Sequence, residues 1–364
     1  LSAPLVDEGK YGEVEVLIKN ALTVSLQRNI GIDYFQDPEA RLKLLALHNK
    51  PTSTGYVKLD ELLAGGLNRK EMFVFCAPPG VGKSLTMSNI AKNLMHQGLN
   101  VVYITLELAE EVVAKRFDSM FSGISQAEIL HNITKTSIEI TKRASENGRL
   151  QVKRMPESST HANHIRAFLK EYEIINGFGP DAIVVDYMDL MCSTQSISAE
   201  NQFIRDKFIS EELRSIANDY NSIMITASQL NRGALNLDSP ADIGQQHIAG
   251  GISKANTADN MAAIFQTPEM KARGEMYYKM IKTRSSGGVG GDFVLNFNPR
   301  TLCLDNQVSD TDLASVVRNK TIQSYTRDKQ KLVDLQAQLQ AEEVPVPGKM
   351  SIDSLDSIFK KTGL

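Results

Sequence analysis

The run Ala77-Pro78-Pro79-Gly80-Val81-Gly82-Lys83-Ser84 constrains this chain more than any other feature. It follows an apolar run at 72–77 and opens a stretch of helical periodicity at 83–97, the strand–loop–helix context a phosphate-binding loop needs. Small residues let backbone N–H groups and the positive end of the helix close on phosphate oxygens. In that geometry Pro79, Gly80, Val81, Gly82, Lys83, Ser84 and Leu85 hold a nucleotide. Lys83 reaches the β- and γ-phosphates and the Ser84 hydroxyl ligates Mg2+, so ATP and Mg2+ are the expected ligands. Ala77 stands where the usual pattern has its first glycine, while Gly80 and Gly82 remain where the loop must turn. The bland alternative is a glycine-rich turn between strand and helix.

Around this loop the chain alternates. Candidate strands lie at 72–77, 100–107, 150–155, 181–187, 222–229, 260–266, 277–282 and 293–297, and helical stretches at 83–97, 110–121, 160–175 and 200–220. Several strands are nearly continuous apolar runs, as expected when both faces are buried. The fold class is therefore α/β, with a mostly parallel sheet covered by helices over residues 51–305. Residues 1–50 form an arm in which Val14, Leu17, Ile18, Ala21 and Leu22 fall at helical spacing, to pack on the arm's own domain or on a neighbouring subunit. Residues 306–364 change character. A polar helix-prone stretch at 311–342 is broken by Val344-Pro345-Val346-Pro347-Gly348. Ile352, Leu355, Ile358 and Phe359 follow at helical spacing, as a frayed tail or as a peptide that becomes helical on a partner. The sequence opens on Leu1, so a fragment or processed chain is expected, with a domain before it.

A phosphate loop needs a second metal ligand. Ile183-Val184-Val185-Asp186 supplies one at the tip of an apolar strand, where an open α/β sheet faces its ligand. Asp189 is nearby and reads as a solvated loop acid. Glu107 ends the strand after the phosphate-loop helix and is placed either to orient an attacking water or to serve as a helix-start acid. Gln229, at a third strand tip, reads as a sensor of the terminal phosphate or as a satisfied polar residue. Lys282 and Arg284 precede a glycine-rich loop, as cations for a neighbour's phosphate or as a solvated strand end.

Charge sets limits. With 40 Lys+Arg against 43 Asp+Glu the chain carries a net −3, which excludes nucleic-acid binding by a broad basic surface and leaves local contacts. The apolar runs are far short of the ~20 residues of a membrane span. Three separated cysteines fit a reducing compartment, with neither a disulfide framework nor a zinc site. His161 and His164 lack a third ligand at metal-binding spacing. Tyr187 and Phe203 are read as core residues before base-stacking ones.

Together, the loop Gly80-Val81-Gly82-Lys83-Ser84, Ile104-Thr105-Leu106-Glu107, Val184-Val185-Asp186-Tyr187-Met188, Ser228-Gln229-Leu230-Asn231-Arg232 and Lys282-Thr283-Arg284 stand in the order of the DnaB-type hexameric replicative helicases. Residues 10–305 resemble that family. The segment 103–116 looks closer to its bacteriophage branch, T-even phages in particular, and 295–301 resembles the family's final core strand.

The resemblance implies a RecA-like P-loop NTPase core with an N-terminal linker helix and a C-terminal helical tail. It implies a ring-shaped homo-hexamer with ATP between neighbours, translocating 5′ to 3′ on single-stranded DNA and unwinding duplex at the replication fork. Lys83, Glu107 and Gln229 would act from one subunit, with Ser84 and Asp186 on Mg2+, and Lys282 and Arg284 would enter from the next. The loops within 192–207 and 231–254 would hold DNA, which makes Arg205, Lys207, Arg232 and Lys254 the cations to test. The arm would be the linker that docks on the adjacent subunit. A primase, helicase loader or single-strand-binding protein is the expected partner of residues 344–364, and the cytoplasm, of a host cell for a phage protein, the expected location. One departure stands out: cellular members carry an Asp-Leu-Arg-Glu-Ser-Gly run where this chain reads Ala241 to Gly251 without the arginine. A recombination or signalling ATPase would share the loop, Asp186 and Glu107; the Lys282-Thr283-Arg284 element and the arm favour the ring motor.

Overall fold

The computed structural model describes residues 34–48, 50–144, 146–197, 201–231, 244 and 252–307. The chain divides into two compact units, 1–49 and 50–364. Of the first, helix α1 (Pro38–His48) is described, with Arg41 lying over the Tyr34 ring. The expected docking helix at 14–22, Arg232 and the tail from 308 lie outside the described residues.

The second unit is built on one nine-stranded sheet of order β3-β2-β4-β5-β1-β6-β7-β8-β9. Its strands are β1 (Met72–Ala77), β2 (Val101–Thr105), β3 (Leu150–Arg154), β4 (Ala182–Asp186), β5 (Ile223–Gln229), β6 (Asn260–Phe265), β7 (Glu275–Lys282), β8 (Asp292–Asn298) and β9 (Cys303–Asn306). The first six in spatial order are parallel, and β7, β8 and β9 extend the sheet antiparallel. All eight expected strands are present; β9 is an addition. Helices α2 (Val57–Leu62), α3 (Lys83–His96), α4 (Glu110–Ser122), α5 (Ile133–Ala144), α6 (Ala162–Asn176), α7 (Gln202–Asp219), α8 (Ile252–Thr257) and α9 (Pro268–Arg273) complete the unit.

The period of two along each strand divides the core. Phe73, Phe75, Tyr103, Val184 and Ile225 point to one face and pack with Met87, Ile90 and Leu94 of α3 and Phe117 of α4. Met72, Val74, Ile104, Val185 and Met224 point to the other and pack with Ile165 and Leu169 of α6 and Ile209 and Leu213 of α7. Five central strands are buried along their length, up to a half-buried Gln229 at the tip of β5 and Phe265 at the tip of β6, and that is why their sequences read as apolar runs. Helix α5 escaped the sequence reading. Its Ile and Thr residues lower helix propensity, and Ile133 and Ile138 are exposed.

Strand β5 lies between β1 and β4. The tip carrying Gln229 therefore stands between the phosphate loop after β1 and Asp186 at the end of β4.

Candidate nucleotide site

The loop after β1 turns through Gly80 at φ +76° and Gly82 at φ +104°, both in the left-handed region that favours glycine. A Cβ at Gly82 would also meet Met276 Cε at 2.8 Å. Gly82 caps α3 with no side-chain bond, leaving the first-turn N–H groups free of side-chain partners. Lys83 folds back so that Nζ donates to the carbonyls of Ala77 (3.2 Å) and Pro78 (3.3 Å) and lies 5.4 Å from the Tyr187 ring centre. Burial lowers its pKa, against the pull of the Asp189 and Asp186 carboxylates.

Pro79, Gly80, Gly82, Lys83, Ser84 and Leu85 line one wall of a cavity of about 400 Å³. Glu107 and Gln229 line it too, Glu107 exposed two residues beyond the end of β2. Val81 turns its side chain to the core cluster instead. Five lining residues were not singled out from sequence as nucleotide contacts: Leu108, Arg116, Gln126, Tyr187 and Leu302. Arg116 had a faint signal, since α4 begins just beyond the tip that carries Glu107. Leu302 had none, because it belongs to the turn before the unforeseen β9.

Asp186 is buried, and both its oxygens are held. Ser84 Oγ donates to Oδ1 at 2.9 Å and Tyr103 Oη to Oδ2 at 2.8 Å. Burial raises the Asp186 pKa, while these two bonds lower it. A hydroxyl and a carboxylate oxygen 2.9 Å apart, beside the phosphate loop, form the sparse oxygen set that suits Mg2+, which takes one or two protein ligands and fills the rest with phosphate and water. Ser84 and Asp186 would hold it, and it would supply charge neutralisation on the β- and γ-phosphates.

At the β5 tip, Gln229 Nε2 donates to Tyr187 Oη at 2.8 Å, so Tyr187 belongs to this site and is not simply a core residue. Asp189, expected as a solvated acid, is instead tied in. It accepts the Gln229 backbone N–H (2.8 Å), the Ser228 hydroxyl (3.0 Å) and the Lys254 ammonium (2.7 Å). Lys254, expected as a DNA-contacting cation, is 2% exposed between Asp189 and Asp206; its charge is engaged inside the unit. Arg205 and Lys207 lie on the first turns of α7, beside Asp206 (3.7 Å) and Glu211 (3.6 Å) respectively.

Lys282 and Arg284 sit elsewhere. Lys282 Nζ donates to the carbonyls of Ala255, Asn256 (3.1 Å) and Ala258 (2.7 Å) at the end of α8, and burial followed by the nearby Arg284 lowers its pKa. Arg284 donates to Asn256 O at 2.6 Å and pairs with Asp259 at 3.3 Å. Asp259 in turn accepts the N–H of Met72, the first residue of β1. These cations are thus at the end of the strands opposite their own phosphate loop, a strand length of about 16 Å away.

A phosphate loop on the central strand of a mostly parallel sheet, an acid at the tip two strands away and a polar residue at the tip between them define a P-loop nucleoside triphosphatase. Residues 52–241 match the DnaB-like helicase C-terminal domain model. The DnaB-like replicative helicase of Enterobacteria phage T4 is 30% identical over 342 residues, covering 91% of this chain and 71% of that protein. The replicative helicase DnaB of Mycoplasma genitalium is 24% identical, covering 71% and 56%. Two solved structures share the fold. One is a DnaB-like replicative helicase studied with primase (TM-score 0.65, 17% identity, 84% of this chain and 76% of that one). The other is the ATPase domain of a second protein (TM-score 0.64, 18% identity, 76% of this chain and 100% of that one). The chain belongs to the DnaB-like family of replicative DNA helicases. Among the described residues no helix is long and apolar enough to cross a membrane.

Proposed function

We propose that this chain is the ATP-driven motor of a ring helicase that translocates 5′ to 3′ on single-stranded DNA, with each site completed by the next subunit. The observation that carries this reading is the position of Lys282 and Arg284. They lie at the end of the strands remote from their own loop, so their route to a phosphate runs through another copy of the chain. Lys83 neutralises the transferring phosphoryl group, Glu107 orients the attacking water, and the Gln229 amide registers the terminal phosphate. Arg284 and Lys282 stabilise charge in the neighbour's transition state.

Residues 1–50 are read as the linker and its docking helix, 51–305 as the motor, and 306–364 as a helical tail. Arg205, Lys207 and Arg232 are the DNA-facing cations in this reading, with backbone amides taking much of the phosphate contact, in keeping with a net charge of −3. Mg2+ is the accompanying ion. The partner on the tail is a primase, a loader or a single-strand-binding protein, and the place of action is the cytoplasm, that of the host if the gene is a phage's.

A forked-duplex unwinding assay tests the reading. A fork with a free 5′ tail is unwound with ATP, one with only a 3′ tail is not, and Lys83→Ala abolishes the activity. ATP hydrolysis without strand separation on either fork contradicts the helicase reading; unwinding of the 3′-tailed fork contradicts the direction.

A further inference from the structure

Lys254 joins four elements at one buried point. Its ammonium lies 2.7 Å from Asp189 Oδ1, in the short turn after β4, 3.1 Å from Asp206 Oδ2 on α7, and 3.2 Å from Ser228 Oγ on β5, while Lys254 itself belongs to α8. Asp206 is 5% exposed and Asp189 18%. Burying an ammonium is costly unless carboxylates compensate, and here two do. Burial alone would lower the Lys254 pKa, and the two carboxylates more than reverse that. Arg205 stands beside Asp206 on the other side, and Lys83 feels the Asp189 charge from the phosphate loop.

The position of this cluster in the chain matters. One segment leaves the Asp189 turn and returns at α7; the other leaves β5 and returns at α8. These are the two segments assigned to DNA in the reading above. Asp189 also accepts the Gln229 N–H, so the same carboxylate that binds Lys254 fixes the strand tip facing the nucleotide.

We propose that Lys254 is a positioning residue that couples DNA to ATP turnover, by holding the roots of both segments in fixed register with the Gln229 tip. The inference rests on the helicase reading. Lys254 acts through Asp189, Asp206 and Ser228, and so sets how a change at either segment is felt at Gln229.

The test is ATP hydrolysis by the full chain with and without oligo(dT), in wild type, Lys254→Met/Asp206→Asn and Asp206→Asn. The double variant removes the ammonium and one of its two carboxylates together, and the remaining one, Asp189, keeps its bonds to Ser228 and to the Gln229 amide. Its DNA-free rate stays within about twofold of wild type while its stimulation by oligo(dT) falls about tenfold, the size of an ordinary coupling between sites. Asp206→Asn alone keeps the Lys254–Asp189 pair and most of the stimulation. Wild-type stimulation in the double variant overturns the inference and leaves the helicase reading standing, because Lys254 would then be a structural ion pair. Equal loss of the DNA-free rate and of the stimulation overturns it likewise. A wild-type rate indifferent to oligo(dT) overturns the helicase reading and the inference with it.

Discussion

Tyr103 donates its phenolic proton to Asp186 Oδ2 at 2.8 Å from the neighbouring strand, while Ser84 holds the other oxygen at 2.9 Å. The register sets Thr105 beside Asp186, so Tyr103 approaches from within the sheet, where it is fully buried. The carboxylate is thereby aimed before any ligand arrives.

Removing that hydroxyl is the first prediction. Tyr103→Phe leaves a buried acceptor short of one donor, a loss of about 1–3 kcal/mol. The variant is expected to need several-fold more Mg2+ for half-maximal binding of a fluorescent ATP analogue, with its affinity for the analogue at saturating Mg2+ little changed. An unshifted Mg2+ titration would mean that Tyr103 only fills space.

Glu107 is exposed at the cavity wall, outside the packed core. Glu107→Gln should therefore bind ATP like wild type and lose hydrolysis by about 100-fold, the scale of a positioned general base. Wild-type turnover in this variant would return Glu107 to the helix-start role.

The phosphate loop, Asp186, Glu107 and Gln229 were legible in the sequence because each sits at a strand tip, and the strands are apolar runs buried on both faces. The Lys254 cluster was not legible. Asp189 and Lys254 are 65 residues apart and Gln229 and Asp189 40, and no local periodicity reports a contact of that span. For the same reason Asp189 read as a solvated acid and Lys254 as an open cation. Strand β9, four residues long at the sheet edge, carries too little pattern to stand out.

Arg284 offers a test in trans. Its loss leaves Asp259 still gripped by Arg214, whose Nε and Nη2 each lie 2.9 Å from a carboxylate oxygen, so the fold should survive. Arg284→Ala is expected to lose most ATP hydrolysis, yet mixtures with Lys83→Ala should exceed the sum of the two, because some mixed interfaces carry both intact halves. A mixture that never exceeds the sum at any ratio would confine Arg284 to its contacts with Asn256 and Asp259.

Asp60 gives a pH prediction away from the site. It accepts from Thr54 N and Thr54 Oγ1, both at 2.7 Å, and from Ser53 Oγ, but burial dominates and raises its pKa from 3.8 to about 6. The folded pKa exceeds the unfolded one, so the unfolded chain gives up its proton first as pH rises. Between about pH 4 and 6 the wild type should lose stability relative to Asp60→Asn, by at most about 3 kcal/mol, with a constant difference above that window. Parallel thermal midpoints of the two proteins across the window would show that burial does not shift this carboxyl.

In a DNA-driven motor, ATP turnover at the Lys83 loop depends on single-stranded DNA, and steady-state ATP hydrolysis with and without oligo(dT), with Lys83→Ala as control, decides the matter. The rate should rise with oligo(dT) and vanish in Lys83→Ala. A Lys83-dependent rate that ignores the DNA would contradict a DNA-driven motor and point to a signalling-type ATPase on the same fold.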